Sequence, residues 1–146
     1  MNGPRRILAV VSLPWDARLG AARVWMELAD EWTRSGHVVE KFCLTDAFPN
    51  PTSSSVVATF RTALFPGRAR KFVRQNGARF DVVDCLMGTL PYGKRTLGFS
   101  GLFVARSVGL HRLYRTFLEE AGRRWPGPPQ GRRAGRIFHG FFERHF

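Results

Sequence analysis

Arg106, Ser107 and His111 form the group of side chains in this sequence with the clearest capacity for chemistry. They surround the turn after a predicted strand, 101–106. A guanidinium can make two parallel hydrogen bonds to a phosphate or carboxylate, so Arg106 could hold an anion. A histidine at this turn could polarise a bound group or transfer a proton. His111 could equally be an exposed residue, because it lies off the apolar stripe of its predicted helix, 110–122.

Gly20 and Ala21 are the second pair of candidates, at the end of the loop 14–21. Small residues there would let a ligand approach the free backbone N–H groups that begin a helix, and such groups attract anions. The alternative is an ordinary turn from strand to helix.

Other groups of polar or reactive residues in the sequence are weaker candidates for a functional site. None of the histidines has metal-ligand spacing with a cysteine or carboxylate, so no metal site is predicted. Cys43 and Cys85 each lie in an apolar run and are predicted to be small core side chains. Asp81 and Asp84 accompany a strand and do not resemble a pair of catalytic carboxylates.

Gly88 to Lys94 fits the first seven positions of a phosphate-binding P-loop. Arg95 stands where a magnesium-binding hydroxyl is required, and Pro91 removes one backbone N–H from the loop. We therefore predict a solvated basic loop at the edge of the sheet.

The elements that must position these residues alternate between strand and helix. The apolar runs 6–13, 37–44, 80–86 and 101–106 read as strands, and 21–35 has the periodicity of an amphipathic helix. Two further helices are expected between the second and third strands, the first ended by Pro66 and the second near 68–76. The pattern predicts an α/β fold with an open parallel, Rossmann-like sheet and helices on both faces, whose ligands bind at the carboxyl ends of the strands.

Composition shifts near the C-terminus. We predict one domain over 1–124, followed by a Pro/Gly linker and a basic amphipathic tail over 125–146. The formal net charge of +12 indicates an anionic partner such as a nucleotide, a phosphorylated sugar, nucleic acid or an acidic membrane surface. No apolar run approaches the roughly 20 residues that span a bilayer. We expect a cytoplasmic protein, with a peripheral contact at the inner face of the membrane as an option.

Several of these segments together resemble the N-terminal half of a GT-B glycosyltransferase of the retaining, nucleotide-sugar-dependent group called glycosyltransferase family 4. The similar segments are the first strand, loop and helix (6–31), the sequence Gly36-His37-Val38-Val39, the strand 80–84, and the strand and turn within 102–114. In many relatives a histidine near the transferred sugar stands where this chain has Val108, and His111 follows three residues later.

The resemblance implies a function and a site. It implies an acceptor-binding half in which Gly20, Ala21, Arg106 and Ser107 bind substrate and His111 contacts the sugar. The acceptor would be a sugar or a lipid-linked molecule, with no cofactor besides the nucleotide-sugar co-substrate. A GT-B enzyme holds its donor mainly in a second domain, so this chain is expected to need a separate donor-binding domain and to be inactive alone.

The alternative from the residues themselves is a non-enzymatic basic α/β module that binds nucleic acid or an acidic membrane surface. Its candidate surface is the segment 61–79, which holds six cations and no acidic residue. No recognised nucleic-acid motif accompanies that segment, so specific nucleic-acid binding is not expected.

Overall fold

The computed structural model of the chain describes residues 3–107 and 111–125. The chain divides after residue 108 into two compact units, which are described separately. The first unit holds a sheet and four helices, and the second holds one described helix.

Four parallel strands form the sheet in the order β2-β1-β3-β4. The strands are β1 (Arg6–Val11), β2 (Val38–Cys43), β3 (Val82–Leu86) and β4 (Leu102–Arg106). Val10 of β1 lies beside Phe42 on one side and Cys85 on the other. The predicted α/β class with an open, all-parallel, Rossmann-like sheet is confirmed.

The helices of the first unit are α1 (Gly20–Arg34), α2 (Leu44–Ala47), α3 (Ser55–Asn76) and α4 (Lys94–Leu97), with a 3₁₀ turn at Gly77–Arg79. The second unit contains α5 (His111–Arg124). Gly36 follows α1 with a φ of 84°, a left-handed conformation that glycine adopts without steric cost.

Alternate residues of the strands face opposite sides of the sheet, and each side is covered by a helix. Ala9 and Val11 pack with Trp25 of α1. Leu8 and Val10 belong to a larger cluster on the other side, where α3 contributes Phe65, Ala69 and Val73. Helices therefore cover both faces of the sheet, as predicted.

The prediction that Pro66 ends one helix and that a second helix follows near 68–76 is wrong, because α3 runs unbroken for 22 residues and contains Pro66. Proline within a helix removes one hydrogen bond and costs about 3 kcal/mol. Phe65, Ala69 and Val73 lie one turn apart and are all buried. Burial of this row, which extends on both sides of Pro66, offsets the cost of the proline. A local sequence pattern cannot reveal such tertiary packing.

The loop after β3 is solvated only in part: Gly88, Pro91, Gly93 and Lys94 are exposed, as the sequence predicted, whereas other residues of the loop and of the segment after it are buried. Thr89, Leu90, Leu97 and Phe99 are buried, and α4 forms within the segment. Gly98 ends α4 with a φ of 63°. Leu90, Leu97 and Phe99 belong to the same core cluster as the buried residues of α3, so part of this segment lies in the core.

The predicted tail, apart from Trp125, lies outside the described residues, so the proposed domain boundary stays a prediction. Within the part of the chain that the structure describes, no helix is both long and apolar enough to cross a membrane.

Candidate functional site: the carboxyl edge of the sheet

The order of the strands identifies the edge of the sheet where a ligand is expected. From β1 the chain passes to β2 on one side and later returns to β3 on the other side. The loops that leave the carboxyl ends of β1 and β3 therefore diverge, and open α/β sheets bind ligands at such a topological switch point.

A hydrogen bond joins these two loops. The Thr89 hydroxyl, in the loop after β3, lies 3.3 Å from the hydroxyl of Ser12, directly after β1. Thr89 is buried, although it belongs to a connecting loop. Leu13 and Trp15 pack beside Trp25, so the loop after β1 folds back over the face that α1 covers. Packing and this side-chain hydrogen bond thus hold the two loops together at the switch point.

Asp84 is the buried acid of this region, and only 1% of it is exposed. It lies in the middle of β3, on the sheet face that α1 covers. Its Oδ2 accepts from Arg106 Nε at 2.7 Å, and its Oδ1 accepts from the indole Nε1 of Trp25 at 3.2 Å. Both carboxylate oxygens therefore have partners despite the depth of burial.

Burial raises the pKa of Asp84, while the hydrogen bond and positive charge of Arg106, and then the Trp25 hydrogen bond, act in the opposite direction. The net direction is upward because desolvation of the carboxylate is the largest effect. Arg106 and Trp25 thus make an otherwise unfavourable buried charge tolerable.

Sequence reasoning missed the importance of Asp84. The available signal was a carboxylate inside an otherwise apolar run that was predicted to be a strand of a parallel sheet, because parallel strands covered on both faces are usually continuous apolar runs. A carboxylate there requires partners.

Arg106 is the last residue of β4 and points back along the strand. Its register partner is Leu86, whereas its guanidinium reaches Asp84, two residues nearer the amino end of β3. The guanidinium also lies 5.8 Å from the ring centroid of Trp32. Because its side chain is 42% exposed, it has access to solvent as well as to the buried acid.

Gly20 and Ala21 lie at the other end of α1 from Trp32. Twelve residues of helix separate Gly20 from Trp32, which is roughly 18 Å along the axis. Arg106 contacts Trp32 and not the first turn of α1, so the structure does not bring the guanidinium and Gly20 together.

The first turn of α1 is open to a ligand. Leu19 precedes the helix without a side-chain cap, and the first turn contains no acidic residue. A Cβ added at Gly20 would meet no atom within 4 Å. Beside it lies a shallow open depression of about 420 Å³, lined by Gly20, Arg23, Val24, Glu27 and Leu28.

The other two predicted site residues follow β4. Ser107 is exposed directly after Arg106. His111 is the first residue of α5, in the second unit, and its side chain lies outside the described part of the structure. Its role stays a prediction.

The cations of 61–79 differ in their surroundings. Arg61 and Arg68 stack on the ring of Phe48, and Arg79 pairs with Glu40. Arg70 lies 5.4 Å from the ring centroid of Tyr92. Lys71 and Arg74 are exposed on the outer side of α3. Of these cations Arg79 is paired with an acid, whereas contact with a ring leaves the positive charge of the arginine in place. The cationic face stays a prediction.

The two cysteines are both buried and free, as the prediction of core side chains requires. Burial, followed by the negative charge of Asp84, raises the pKa of the Cys85 thiol to about 12. Cys85 is therefore a neutral thiol at physiological pH and a poor nucleophile. Among the described residues no group of three or more His, Cys, Asp or Glu side chains could hold a metal ion.

Comparison with known proteins finds no matching family model, no similar curated protein and no similar solved structure.

Proposed function

We propose that this chain is the acceptor-binding half of a GT-B glycosyltransferase. In the full two-domain enzyme a sugar would pass from a nucleotide-sugar donor to a sugar or lipid-linked acceptor. The observation that carries the proposal is the β1/β3 switch point of an all-parallel sheet, with the uncapped first turn of α1 beside it. The resemblance of the sequence to the family supplies the reaction.

In this proposal Gly20 and Ala21 bring the acceptor against the start of α1. No side chain at Gly20 obstructs that approach, and the first-turn N–H groups are hydrogen-bond donors for an anionic or hydroxyl oxygen. The sugar is held by polar contacts at the edge of the sheet, so its binding depends on shape as well as charge.

Arg106 has two roles in this proposal, one structural and one in binding. Its Nε neutralises Asp84, and its terminal nitrogens are left to meet an anionic group of the substrate at the exposed end of β4. Ser107 contributes a hydroxyl beside it, and His111 contacts the transferred sugar. The donor is held by a second domain on a separate chain or segment, and transfer needs both domains.

Ligand-detected NMR on the purified chain tests the proposal. Nucleotide sugars, phosphorylated sugars, neutral sugars and a short DNA duplex are screened at moderate and at high salt. We expect saturation transfer to sugar-type ligands that persists at high salt. Binding to DNA alone, lost at high salt, would contradict the proposal, because charge-driven binding falls steeply with salt.

Two variants make the test specific to the site. Gly20→Leu fills the space at the start of α1 and should abolish sugar binding without unfolding the chain. Gly67→Leu is the matched control, since Gly67 also has no atom near its missing Cβ but belongs to α3, on the other face of the sheet. Equal binding by the two variants would exclude the α1 terminus as the acceptor site.

A further inference from the structure

The outer face of α3 carries apolar side chains that no described residue covers. Val56, Val57, Phe60 and Leu64 are all exposed, Phe60 to 58% and Leu64 to 60%. Val56, Phe60 and Leu64 follow one another at intervals of four residues, so they line one side of the helix. Large apolar side chains clustered on a surface typically mark an interaction site.

The same side of α3 becomes cationic towards its C-terminal end. Lys71 and Arg74 lie on the same side of the helix as Phe60 and Leu64, further along the chain. Gly67 lies on this side between Leu64 and Lys71. They border an open depression of about 390 Å³ lined by Gly67, Arg70, Lys71, Arg74 and Gln75. The whole helix contains five cations and no acidic residue.

We propose that this face of α3, formed by Val56, Val57, Phe60, Leu64, Lys71 and Arg74, docks on an anionic lipid bilayer. The apolar side chains would enter the interface between headgroups and acyl chains, and the two cations would contact lipid phosphates. A helix with apolar side chains beside cations has the composition of interfacial membrane-binding helices. The inference is independent of the proposed glycosyltransferase function.

The positive charge of α3 favours an anionic bilayer over three other partners that could cover this face. The C-terminal segment 126–146 carries four arginines and one glutamate, so it shares the sign of α3 and is a poor electrostatic partner for it. A second copy of this chain would place two cationic helices together. The phosphates of a nucleic acid could pair with Lys71 and Arg74, but a nucleic acid offers no apolar environment in which Phe60 and Leu64 could be buried.

Vesicle flotation with the full chain tests the proposal. Vesicles of phosphatidylcholine alone are compared with vesicles that also contain phosphatidylglycerol. We expect binding to the anionic vesicles and little binding to the neutral ones. Phe60→Ser/Leu64→Ser should weaken partitioning about tenfold, because two apolar contacts with the acyl chains are lost. Lys71→Ala/Arg74→Ala should weaken it roughly fivefold for each cation removed.

Matched variants on α1 and at Leu19, directly before it, provide the controls. Leu19→Ser/Val24→Ser removes two exposed apolar side chains, and Arg23→Ala/Arg34→Ala removes two exposed cations, in both cases beside the opposite face of the sheet. Neither should change partitioning by more than about twofold, which is within the range of ordinary surface substitutions. Circular dichroism and thermal unfolding verify that all variants are folded.

Three outcomes would overturn the proposal. One is an absence of binding to anionic vesicles. Another is equal binding by the wild type and Phe60→Ser/Leu64→Ser, which would assign the lipid contact to another part of the chain. The third is a concentration-dependent dimer in sedimentation velocity that Phe60→Ser/Leu64→Ser dissociates, which would identify a second copy as the occupant.

Discussion

Asp84 Oδ2 and Arg106 Nε lie 2.7 Å apart across β3 and β4, in a diagonal pairing that joins a buried acid to a half-exposed base. Asp84 is buried and Arg106 is half-exposed, so removing the arginine side chain should have a different effect on stability from removing the acid. A guanidinium left alone can turn to water, whereas a carboxylate left alone stays in the core.

We therefore expect Arg106→Ala to destabilise the protein by about 3 kcal/mol at neutral pH, and more than Asp84→Asn does. The side-chain amide in Asp84→Asn keeps an acceptor for the Trp25 indole and leaves no buried charge. Urea unfolding of both variants measures the two free energies. A larger loss in Asp84→Asn than in Arg106→Ala would show that the buried carboxylate is not the costly partner.

The destabilisation in Arg106→Ala should depend on pH. Burial raises the pKa of Asp84 in the folded protein, and loss of Arg106 raises it further. The folded state then binds a proton more readily than the unfolded state, so stability rises as pH falls through the folded pKa. The difference between wild type and variant should shrink from pH 7 towards the ordinary aspartate value. A difference that grows on acidification would contradict this assignment.

The stabilising contribution of Asp46 should depend on pH in the opposite direction. Partial burial raises its pKa, but hydrogen bonds from Cys43 and Lys41 outweigh burial and hold the pKa below the ordinary aspartate value. Its Oδ2 accepts the Cys43 backbone N–H at 2.8 Å, which caps α2. Asp46→Asn should cost about 1 kcal/mol at neutral pH. The wild-type advantage is present above the unfolded pKa and is lost as pH falls through the lower, folded value. Unfolding at neutral and acidic pH measures it, with Asp30→Asn, an exposed site on α1, as the control.

Gly101 has the least space around it among the described glycines of the first unit. A Cβ there would lie closer than van der Waals contact allows to the Asp81 carbonyl oxygen and to the ring of Phe99. Gly101→Ala should lower the free energy of unfolding by about 2–3 kcal/mol, since the backbone at Asp81, directly before β3, must shift. Gly67→Ala is the contrasting case: it adds a methyl in open space within α3 and should stabilise by roughly 0.5–1 kcal/mol. Similar effects at the two sites would contradict the packing described around Asp81.

Pro66 provides a test of why α3 is continuous. If packing of Phe65, Ala69 and Val73 holds the helix together against the proline, Pro66→Ala should restore one backbone hydrogen bond and stabilise the protein by about 1–3 kcal/mol. Thermal unfolding measures this gain. A loss of stability would mean that the proline ring contributes more to the core than its missing N–H costs.

The sheet could be predicted from sequence because each strand carries its own local signal. The runs around Leu8, Phe42, Val83 and Val104 are apolar and short, and the helical stripe on α1 separates the first two. The continuity of α3 could not be predicted, because it depends on what Phe65 and Val73 touch across the core. Chain order alone also did not reveal that β3 lies between β1 and β4.

The candidate site was predictable only in part. Arg106 and Gly20 were recognised as residues at the carboxyl edge, and both lie at ends of the expected elements. The direction of the Arg106 side chain is set by Asp84, a residue for which the sequence pattern indicated no role. The pairing of Ser12 with Thr89 depends on two loops 77 residues apart in the chain, which no local pattern connects.

The most direct test of the proposed acceptor site is a ¹H–¹⁵N correlation spectrum of the chain titrated with a phosphorylated sugar at high salt. The proposal predicts saturable shifts of the Gly20 and Ala21 amides, together with small or no shifts along α3. Shifts confined to α3 that disappear as salt is raised would contradict it, and would leave the carboxyl edge of the sheet without a ligand.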